Sequence, residues 1–462
     1  MTYKIKTICC IGAGYVGGPT MAVIAEKCPE ITINVVDVNE ERISLWNSED
    51  YTKLPIYEPG LAAIIKQCRG RNLFFSTNIE NNIASADMIF ISVNTPTKKK
   101  GKGAGKASDL KWVEASARQI SKYAEGHTIV VEKSTLPIKT AETIDKILKN
   151  RKGETEVSSS STKTFDILSN PEFLSEGNAI NDLRNPDRVL IGGDNKEAIN
   201  SLIKIYSNWV QKKKILTTNL WSSELSKLIA NAFLAQRISS INAIGALCEA
   251  TGADVREVSR AIGADSRIGS KFLDAGPGFG GSCFKKDILN LVYLSEYFGL
   301  HEVAKFWESV VKLNNWHQSR ISKLITKKLF GTISGKKIII LGFAFKGNTN
   351  DTRESAAIQI CKDLLNEGAN LYIHDPKVTK AQITTDLKIK SVDETLAQKN
   401  TLNEKGCWAY ITDIDQSFFG ADAIVILTEW EEYKKIDWDL AENRMRKPAW
   451  VFDSRSIIDI NL

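Results

Sequence analysis

Short apolar runs alternate with helical patterns in the first part of the chain, and glycine or polar residues follow each run. Ile8–Ile11 is followed by a helical pattern over Pro19–Lys27 and by a second apolar run over Ile31–Val36. Runs rich in isoleucine and valine are typical of parallel strands that are buried on both faces. The pattern predicts a doubly wound α/β domain over residues 1–215, with Arg188–Gly193 as its closing edge strand.

Helical patterns without strands fill residues 216–329 and predict a helical middle domain. Ser222 or Ser223 can cap a helix that runs to about Ala250, long enough to join the flanking domains. Long helices with apolar stripes often form subunit interfaces, so we expect a homo-oligomer.

The β-α-β pattern recurs over residues 330–462, where Ala421–Leu427 echoes Ala86–Val93. The sequence therefore predicts an α/β protein with two Rossmann-like doubly wound domains, joined by a long central helix and a helical middle domain.

Composition and charge exclude several classes of protein. The 462 residues allow about three domains, the formal net charge of +6 is mild, and no apolar run approaches the ~20 residues of a membrane helix. The basic cluster Lys98–Lys106 lacks interleaved aromatic residues, which disfavours a nucleic-acid partner. The eight cysteines have no metal-ligand spacing and are scattered as in a reducing compartment. Since Met1–Lys6 leads straight into a strand, we expect no signal peptide, no membrane partner and a cytoplasmic location.

A glycine motif, Gly12-Ala13-Gly14-Tyr15-Val16-Gly17, lies between the first strand and the first helix. Its glycines permit a tight turn, close approach of a pyrophosphate and close strand–helix packing. Asp37 ends the next strand, where it can accept hydrogen bonds from ribose hydroxyls. The motif predicts a dinucleotide site, and Asp37 favours NAD over NADP because it would repel a 2′-phosphate. Arg42 weakens that preference.

Polar side chains follow three other strands of this domain. Ser92, Thr95 and Thr135 are candidates for the cofactor side, although each can also serve as a helix cap. Glu172 and Glu176 follow the strand Phe165–Ser169 and are either site residues or capping and solvated acids.

A glycine-rich stretch, Gly276–Asp287, leads through Cys283 into a helical pattern. A cysteine at a helix start, beside two lysines, favours the thiolate and therefore predicts a nucleophile. A glycine-rich turn with a buried cysteine is the alternative. Lys227 and Asn231 are four residues apart on one helix and could stabilise an oxyanion, unless the lysine only extends its ammonium group to solvent.

The last domain has bulky residues, Phe343–Gly347, in place of the glycine motif. Lys346, Arg353 and Arg455 bring cations to the predicted strand ends. We therefore expect this domain to bind a different phosphorylated ligand from the first.

With these stretches considered together, the chain resembles the UDP-sugar dehydrogenases, and Leu234–Ser240 resembles their animal and plant branch. The matching stretches are Gly12–Thr20, Asn94–Thr97, Lys133–Pro137, Asn170–Gly177, Ser223–Ser240, Phe279–Asp287, Phe343–Arg353 and Asp453–Arg455. The resemblance implies oxidation of the C6 alcohol of UDP-glucose to UDP-glucuronate, with two NAD per sugar. It implies a thiohemiacetal and then a thioester on Cys283, followed by hydrolysis, in a homo-oligomer that is a dimer or a dimer-based hexamer.

The resemblance also implies roles for individual residues. Lys227 and Asn231 would hold the oxyanion, Glu172 would act as acid and base, and Thr135 and Asp287 would position water and polar hydrogens. Implied cofactor contacts are Gly12, Gly14, Tyr15, Val16, Gly17, Asp37, Arg42, Ser92, Thr95, Thr135, Glu176 and Arg353. Implied substrate contacts are Glu172, Phe173, Leu174, Lys227, Asn231, Arg267, Phe272, Leu273, Phe279, Gly280, Phe345, Lys346 and Arg455, with Arg267 reaching the substrate of a neighbouring subunit.

The sequence departs from the family at Asp274, at Gly347-Asn348 and in a serine-rich insertion at residues 151–164. A relative that acts on UDP-N-acetylmannosamine or GDP-mannose is a close alternative. A non-catalytic NAD-sensing or nucleotide-binding protein is another, but the joint presence of Cys283, Lys227 and Asp287 argues against it.

Overall fold

A computed structural model of the chain describes residues 2–135, 137, 139–149, 163–393 and 406–458. Most of the serine-rich insertion, residues 151–162, lies outside these ranges. The chain forms two compact units, Met1–Ala230 and Asn231–Leu462, and each is described by itself.

The first unit is built on an eight-stranded sheet with helices on both faces. Its strands are β1 (Thr7–Ile11), β2 (Thr32–Val36), β3 (Leu73–Ser76), β4 (Met88–Ile91), β5 (His127–Glu132), β6 (Thr164–Ser169), β7 (Val189–Gly193) and β8 (Ile215–Thr218). Its helices are α1 (Gly17–Lys27), α2 (Glu40–Trp46), α3 (Leu61–Cys68), α4 (Ile79–Ala84), α5 (Lys111–Tyr123), α6 (Thr140–Lys149), α7 (Ala179–Arg184) and α8 (Lys196–Tyr206). The strand order is β3-β2-β1-β4-β5-β6-β7-β8, and β6–β7 is an antiparallel pair.

Two apolar cores cover the two faces of this sheet. Cys9 packs in one core with Ile89 and Val130, whereas Cys10 packs in the other with Phe90. Alternate residues of each central strand therefore point to opposite buried faces, which explains why these strands are apolar throughout.

The prediction of Arg188–Gly193 as the edge strand is wrong. The strand here is β7, and β8 pairs with it in parallel and forms the edge of the sheet. Because no residue of β8 is fully buried, its sequence lacks the apolar run that marks the other strands. The sheet consequently extends three residues beyond the predicted boundary at 215.

Helix α9 (Leu220–Thr251) runs through the boundary between the units. It begins before the predicted caps, because the side chain of Asn219 accepts a 2.8 Å hydrogen bond from the backbone N–H of Ser222. The predicted capping by Ser222 or Ser223 is therefore wrong, and both serines lie inside the helix. Asparagine side chains satisfy the first N–H groups of helices as well as serine does.

The second unit contains the helices α10 (Val255–Gly263), α11 (Phe284–Tyr297), α12 (His301–Lys328), α13 (Ala356–Asn366), α14 (Lys380–Leu387), α15 (Ile414–Ser417) and α16 (Trp438–Arg444). Its strands are β9 (Lys337–Leu341), β10 (Asn370–His374), β11 (Cys407–Tyr410), β12 (Ala423–Ile426) and β13 (Trp450–Asp453). They form a parallel five-stranded sheet in the order β11-β10-β9-β12-β13. This order repeats that of β3-β2-β1-β4-β5, so the predicted second Rossmann-like domain is confirmed.

An aspartate occupies the same place in both sheets. Asp37 follows β2 and accepts a 2.9 Å hydrogen bond from Ala13 N. Asp375 follows β10 and accepts bonds of 2.7 and 2.9 Å from Phe343 N and Ala344 N. In both domains a carboxylate thus fixes the loop that leaves the central strand.

Candidate active site

The loop after β1 needs glycine at its first and last positions. A Cβ atom at Gly12, which has φ +110°, would lie 2.4 Å from Ser92 O. A Cβ atom at Gly17 would lie 2.0 Å from Gly12 O. Over Gly14, by contrast, no heavy atom of the described residues comes within 4 Å of the Cβ position. The loop is tightly packed at Gly12 and Gly17 but open at Gly14, as close approach of a pyrophosphate to the main chain requires.

The groups around this loop fit a dinucleotide. Val16 lies at the N-cap of α1 without a side-chain cap, and the first turn has no acidic residue. The N-terminus of α1 is consequently suited to an anion. Asp37 is 9% exposed and lies 3.1 Å from the more exposed Arg42. Within the described part of the chain, Ser92 Oγ is buried without a hydrogen-bond partner. An acid near the ribose position and an orphaned hydroxyl complete a site that suits NAD.

Two of the predicted threonines are linked. Thr95 is 2% exposed, and its hydroxyl donates a 3.0 Å hydrogen bond to Thr135 O. The segment after β4 therefore holds the backbone of the segment after β5 at Thr135.

Sequence reasoning missed a pair of buried glutamates beside that segment. Glu224, in the first turns of α9, accepts 2.8 Å hydrogen bonds from the backbone N–H groups of Lys139 and Ala141 and so caps α6. Glu132 ends β5, is 1% exposed, and has no hydrogen-bond partner among the described residues. Burial, together with the charge of Glu224, raises the pKa of Glu132 well above its usual range. Glu132 therefore holds a proton at a pH where an exposed glutamate would be ionised.

Glu172 and Lys227 form a buried ion pair. Their Oε1 and Nζ atoms lie 3.0 Å apart, and the residues are 6% and 3% exposed. Leu174 N donates a 2.9 Å hydrogen bond to the other carboxylate oxygen of Glu172. The ammonium group of Lys227 does not reach solvent, so the alternative of a lysine that only covers apolar surface is excluded. The centre of the Phe173 ring lies 3.8 Å from Arg188 Cζ and 5.6 Å from Lys227 Nζ.

The segment after Glu172 is held by another acid that the sequence did not reveal. Glu58 is 5% exposed and accepts hydrogen bonds of 2.7 and 3.0 Å from Gly177 N and Ala179 N. Glu176 lies half-buried within this segment. The carboxylate of Glu58 caps α7 and fixes the chain on which Glu176 lies.

A second buried lysine, Lys133, was also missed as a site residue. It is 3% exposed, and its Nζ donates to Asn170 Oδ1 at 3.0 Å and to Tyr206 OH at 3.3 Å. Burial lowers the pKa of Lys133 to about 8, and the charge of Lys227 lowers it too, whereas Glu172 raises it.

In the second unit, the glycine-rich loop before α11 is held by side chains of two helices. Asn314 of α12 accepts from Phe279 N at 2.9 Å and donates to Phe279 O at 3.1 Å. Asn242 of α9 accepts from Gly276 N at 2.9 Å. His317 Nε2 donates to Gly276 O at 2.8 Å, and burial lowers the pKa of His317 and keeps its ring neutral. The loop is thus a rigid element and not an ordinary surface turn.

Cys283 lies half-buried at the N-cap of α11, where no side chain caps the helix. Its thiol is 3.4 Å from Ser282 Oγ. Of the two neighbouring lysines, Lys285 lies 2.8 Å from Glu354 and Lys286 lies 3.9 Å from Asp287. The N-terminus of α11 favours a thiolate here.

Asn231 and Asp287 lie together near this helix start. Asn231 Nδ2 donates a 2.6 Å hydrogen bond to Asp287 Oδ2, and the residues are 6% and 1% exposed.

The cysteine loop also packs on the loop after β9. A Cβ atom at Gly280 would lie 2.6 Å from Glu354 O and 2.9 Å from Phe345 Cβ, and Gly281 N donates a 2.8 Å bond to Arg353 O. Phe279 is 4% exposed and meets the ring of Phe284 edge-on. Glycine is therefore required at position 280.

The cations predicted for a phosphorylated ligand differ in their surroundings. Arg455 donates to Phe345 O at 2.8 Å and to Leu427 O at 2.9 Å, so it joins the ends of two strands to the loop after β9. Lys346 Nζ lies 5.6 Å from the centre of the Phe345 ring. The exposed Arg353 binds Asp351 through two of its nitrogens, at 2.8 and 2.6 Å.

The remaining predicted substrate residues lie before the cysteine loop. Arg267 has a side chain that is 87% exposed and binds Asp265. Phe272 has φ 62°, a rare conformation for a residue with a side chain, and Leu273 is 5% exposed. Arg237, which sequence reasoning missed, donates three hydrogen bonds of 2.8 to 3.0 Å to the carbonyl groups of Ile268, Gly269 and Lys271.

The described residues contain no group of three histidine, cysteine, aspartate or glutamate residues that could hold a metal ion. No helix in the described ranges combines the length and apolarity needed to cross a membrane.

Three family models match successive parts of the chain. They describe the UDP-glucose/GDP-mannose dehydrogenase family: its NAD binding domain matches residues 6–210, its central domain 221–316 and its UDP binding domain 339–460.

Individual relatives match almost the whole chain. UDP-glucose 6-dehydrogenase from Gallus gallus is 54% identical over 463 residues, which cover 99% of this chain and 90% of the relative. UDP-glucose 6-dehydrogenase 1 from Glycine max is 55% identical over 460 residues, which cover 98% of this chain and 93% of the relative. The predicted likeness to the animal and plant branch is confirmed.

Solved structures share the fold. A UDP-glucose dehydrogenase from the archaeon Pyrobaculum islandicum has a TM-score of 0.82 and 29% identity, covering 98% of this chain and 95% of its own. A UDP-D-ManNAc dehydrogenase from Pyrococcus horikoshii has a TM-score of 0.77 and 25% identity, and the match covers 98% of this chain and 96% of that structure's chain.

Proposed function

This chain belongs to the UDP-glucose/GDP-mannose dehydrogenase family, and we propose that it oxidises the C6 alcohol of UDP-glucose to the carboxylate of UDP-glucuronate, with NAD as the oxidant. The observation that carries the proposal is the 54–55% identity to UDP-glucose 6-dehydrogenases over 98–99% of the chain. The open glycine loop, the acid at Asp37 and the cysteine at the start of α11 supply the chemistry that this reaction needs.

Each of two NAD molecules supplies a hydride acceptor when bound, so the alcohol can lose four electrons in two steps. In the first step Glu172 takes the proton of the C6 hydroxyl as the carbon loses its hydride and becomes an aldehyde. The ammonium group of Lys227 lies 3.0 Å from Oε1 of this carboxylate and holds it in place.

Cys283 carries the second half of the reaction. Its thiolate adds to the aldehyde carbon to form a thiohemiacetal, whose oxyanion is stabilised by Lys227 and Asn231. Loss of the second hydride turns this adduct into a thioester. Water then attacks the thioester, Thr135 and Asp287 orient the water and its hydrogens, and the C–S bond breaks to release the acid and regenerate the thiol. A thiol suits this role because a thioester is a better acyl donor than an oxygen ester.

The two ligands go to different parts of the chain in this proposal. Residues 1–215 bind NAD, residues 216–329 form the helical middle domain, and residues 330–462 bind the UDP-sugar. Lys346 and Arg455 would neutralise the diphosphate. Ala344 follows the end of β9 by three residues, as Gly14 follows the end of β1, so it places a side chain where a second dinucleotide would need glycine. The matching NAD binding, central and UDP binding domains of the family support this division.

A homo-oligomer, either a dimer or a dimer-based hexamer, is part of the proposal. Large apolar side chains on helices of the second unit are strongly exposed: Phe233, Leu247, Tyr297, Phe306 and Trp316. A subunit interface would remove such side chains from water. Light scattering should give a multiple of the 51.3 kDa chain mass. Leu247→Glu should lower that mass, whereas Phe419→Glu, at a residue that is still more exposed, should not. A wild-type monomer would contradict the proposal.

A cytoplasmic location is also proposed, because eight free cysteines suit a reducing compartment. Fractionation of cells that express the chain tests this location, and recovery in a secreted fraction would contradict it.

The deciding experiment measures the NADH formed for each sugar consumed, with a panel of nucleotide sugars. We expect about two NADH per UDP-glucose and much lower rates with UDP-N-acetylmannosamine and GDP-mannose. A ratio of one with UDP-glucose would mean simple alcohol oxidation and would overturn the thioester route. A preference for another nucleotide sugar would overturn the substrate.

A further inference from the structure

A turn in the second unit, residues 268–273, precedes the cysteine loop, and one arginine side chain binds its first half. The guanidinium group of Arg237, on α9, donates through all three of its nitrogens to carbonyl groups of this turn: Ile268 O at 3.0 Å, Gly269 O at 2.8 Å and Lys271 O at 3.0 Å. The arginine lies 31 to 34 residues before the carbonyl groups that it binds.

These bonds depend on the shape of the guanidinium group. The turn lies between α10 and α11, so no helix supplies N–H partners to its carbonyl groups. A guanidinium group carries five N–H donors in a rigid planar fork, and it can therefore serve three acceptors that lie in different directions. The ammonium group of a lysine carries the same charge but would have to reach all three acceptors from one atom.

The turn ends in a strained residue. Phe272 has φ 62°, a left-handed conformation that crowds the Cβ atom of any residue except glycine. Its ring does not compensate by burial, because Phe272 is 39% exposed. Beyond it, Ser259 of α10 donates a 2.7 Å hydrogen bond to Leu273 O. Hydrogen bonds on both sides of Phe272 thus hold the chain in this conformation.

Stability alone gives no reason for a phenylalanine at this position. Glycine would adopt the left-handed conformation without strain, and an exposed ring contributes little to the core. Strained backbone that its surroundings impose is typical of positions that bind ligands. The exposed aromatic ring at Phe272 therefore suggests a contact outside the folded chain.

The chain beyond the turn passes a cation of the proposed UDP-sugar site. A Cβ atom at Gly276 would lie 3.4 Å from Arg455 Nη1, and Gly276 N donates a 2.9 Å hydrogen bond to Asn242 Oδ1. Gly276 follows Phe272 by four residues, which span at most about 14 Å when extended. The strained residue consequently lies within reach of a nucleotide whose diphosphate binds Arg455.

We propose that Arg237 is a positioning residue for the UDP-sugar: its three bonds hold the turn so that Phe272 faces the nucleotide bound at Arg455. This role rests on the proposed function, which assigns the diphosphate to Arg455. Three of the five N–H groups of Arg237 bind the turn, so the arginine acts on the ligand through the turn and does not itself touch the sugar.

The test compares wild-type protein with Arg237→Met and Arg237→Lys. Calorimetry with UDP should show Kd about tenfold higher in Arg237→Met, and KM for UDP-glucose should rise about as much. We expect kcat to change less than about threefold and NADH affinity to stay at the wild-type value, because only binding of the UDP-sugar is affected. Arg237→Lys should resemble Arg237→Met, since charge alone cannot replace the three bonds.

A matched control removes another arginine that binds a main-chain carbonyl group. Arg444 on α16 donates to Asp415 O at 3.0 Å, and Arg444→Met should leave the affinity for UDP unchanged. Thermal melts of all variants show whether a change in affinity reflects a general loss of folded structure.

A double-mutant cycle with Phe272→Gly tests whether Arg237 acts through the conformation of Phe272. Glycine adopts φ 62° at no steric cost, so the arginine has less to hold in that background. The tenfold rise in the Kd of UDP on Arg237→Met should shrink to about threefold or less when Phe272→Gly is already present. A tenfold rise in both backgrounds would overturn the proposed role.

Three other results would also overturn it. One is wild-type affinity for UDP in Arg237→Lys. Another is a parallel loss of UDP affinity, NADH affinity and melting temperature in Arg237→Met, which would indicate a structural role. Failure of both variants to fold would mean that the fold itself requires the arginine. The proposed function fails separately: wild-type protein that neither binds UDP nor oxidises UDP-glucose would contradict it, whereas unchanged UDP affinity in Arg237→Met contradicts only the role of Arg237.

Discussion

Asn231 donates its amide hydrogen to Asp287 across 2.6 Å in an almost fully buried pair. A carboxylate can only accept, so it fixes which end of the amide faces it and which hydrogen remains for another acceptor. One N–H of Asn231 is used by Asp287, and the second is left with a defined direction. Asp287 therefore orients the group that we assign to the oxyanion.

Replacement of Asp287 by leucine should release the Asn231 amide. We expect kcat to fall about a hundredfold, with a much smaller change in KM for UDP-glucose, because an oriented donor acts mainly on the transition state. Steady-state kinetics measure the split, and Glu302→Gln on α12, whose side chain is 85% exposed, is the control. A rise of about a hundredfold in KM with unchanged kcat would contradict an oxyanion role.

Cys283→Ala should abolish formation of the acid while NAD binding survives, since the thiol is needed only once an aldehyde has formed. Mass spectrometry of the sugar product and fluorescence titration with NADH measure the two properties separately. Unchanged production of UDP-glucuronate by this variant would remove Cys283 from the mechanism.

Asp37→Ala should weaken NAD binding about tenfold or more. The carboxylate accepts from Ala13 N at 2.9 Å and so supports the glycine loop as well as the expected ribose contact. Asp87→Ala is a matched control, because Asp87 also accepts backbone bonds, from Lys6 N and Thr7 N, but at the start of β1 and not at its end. Calorimetry should show normal NAD affinity in the control, and equal affinities in both variants would undo the ribose assignment.

Glu132→Gln should change how stability depends on pH. The usual pKa of 4.5 applies to Glu132 in the unfolded chain, whereas burial and the charge of Glu224 raise the folded value. The folded state therefore keeps a proton that the unfolded state loses, and stability falls as the pH rises from about 4.5 through the raised pKa. Glutamine cannot ionise, so the free energy of unfolding of the variant should rise relative to that of the wild type as the pH increases over this range.

Urea unfolding at several pH values between 4 and 8 measures the effect of that substitution. Glu142→Gln is the control. Its side chain is 42% exposed, and its bond to Lys146 lowers its pKa, so its curve should run parallel to the wild type above the usual pKa of 4.5. Parallel curves for Glu132→Gln as well would mean that Glu132 is ionised in the folded protein.

Local patterns revealed the parts of the fold whose causes are local. The dinucleotide loop could be predicted because Gly12–Gly17 and Asp37 lie within one β-α-β unit, and the second domain could be predicted because the same unit recurs. Strand β8 was missed, since an edge strand with no fully buried residue has no apolar run.

The missed site residues depend on partners that are distant in sequence. Lys133 and Glu132 looked like ordinary polar residues at a strand end, and only the packing of Asn170, Tyr206 and Glu224 buries them. Arg237 likewise binds carbonyl groups 31 to 34 residues away. No periodicity or spacing within the sequence encodes such contacts.

The loops after β1 and β9 occupy equivalent places in the two sheets, but their different residues make them unequal targets for inhibitors. A compound directed at Gly12–Gly17 would meet main-chain groups of a motif that many unrelated dehydrogenases use, and selectivity there would be poor. A compound directed at Phe343–Gly347 would meet an aromatic ring, a lysine and the guanidinium group of Arg455, which holds the Phe345 carbonyl. Selective chemistry against this protein therefore belongs in its second half, where the same scaffold presents side chains in place of bare backbone.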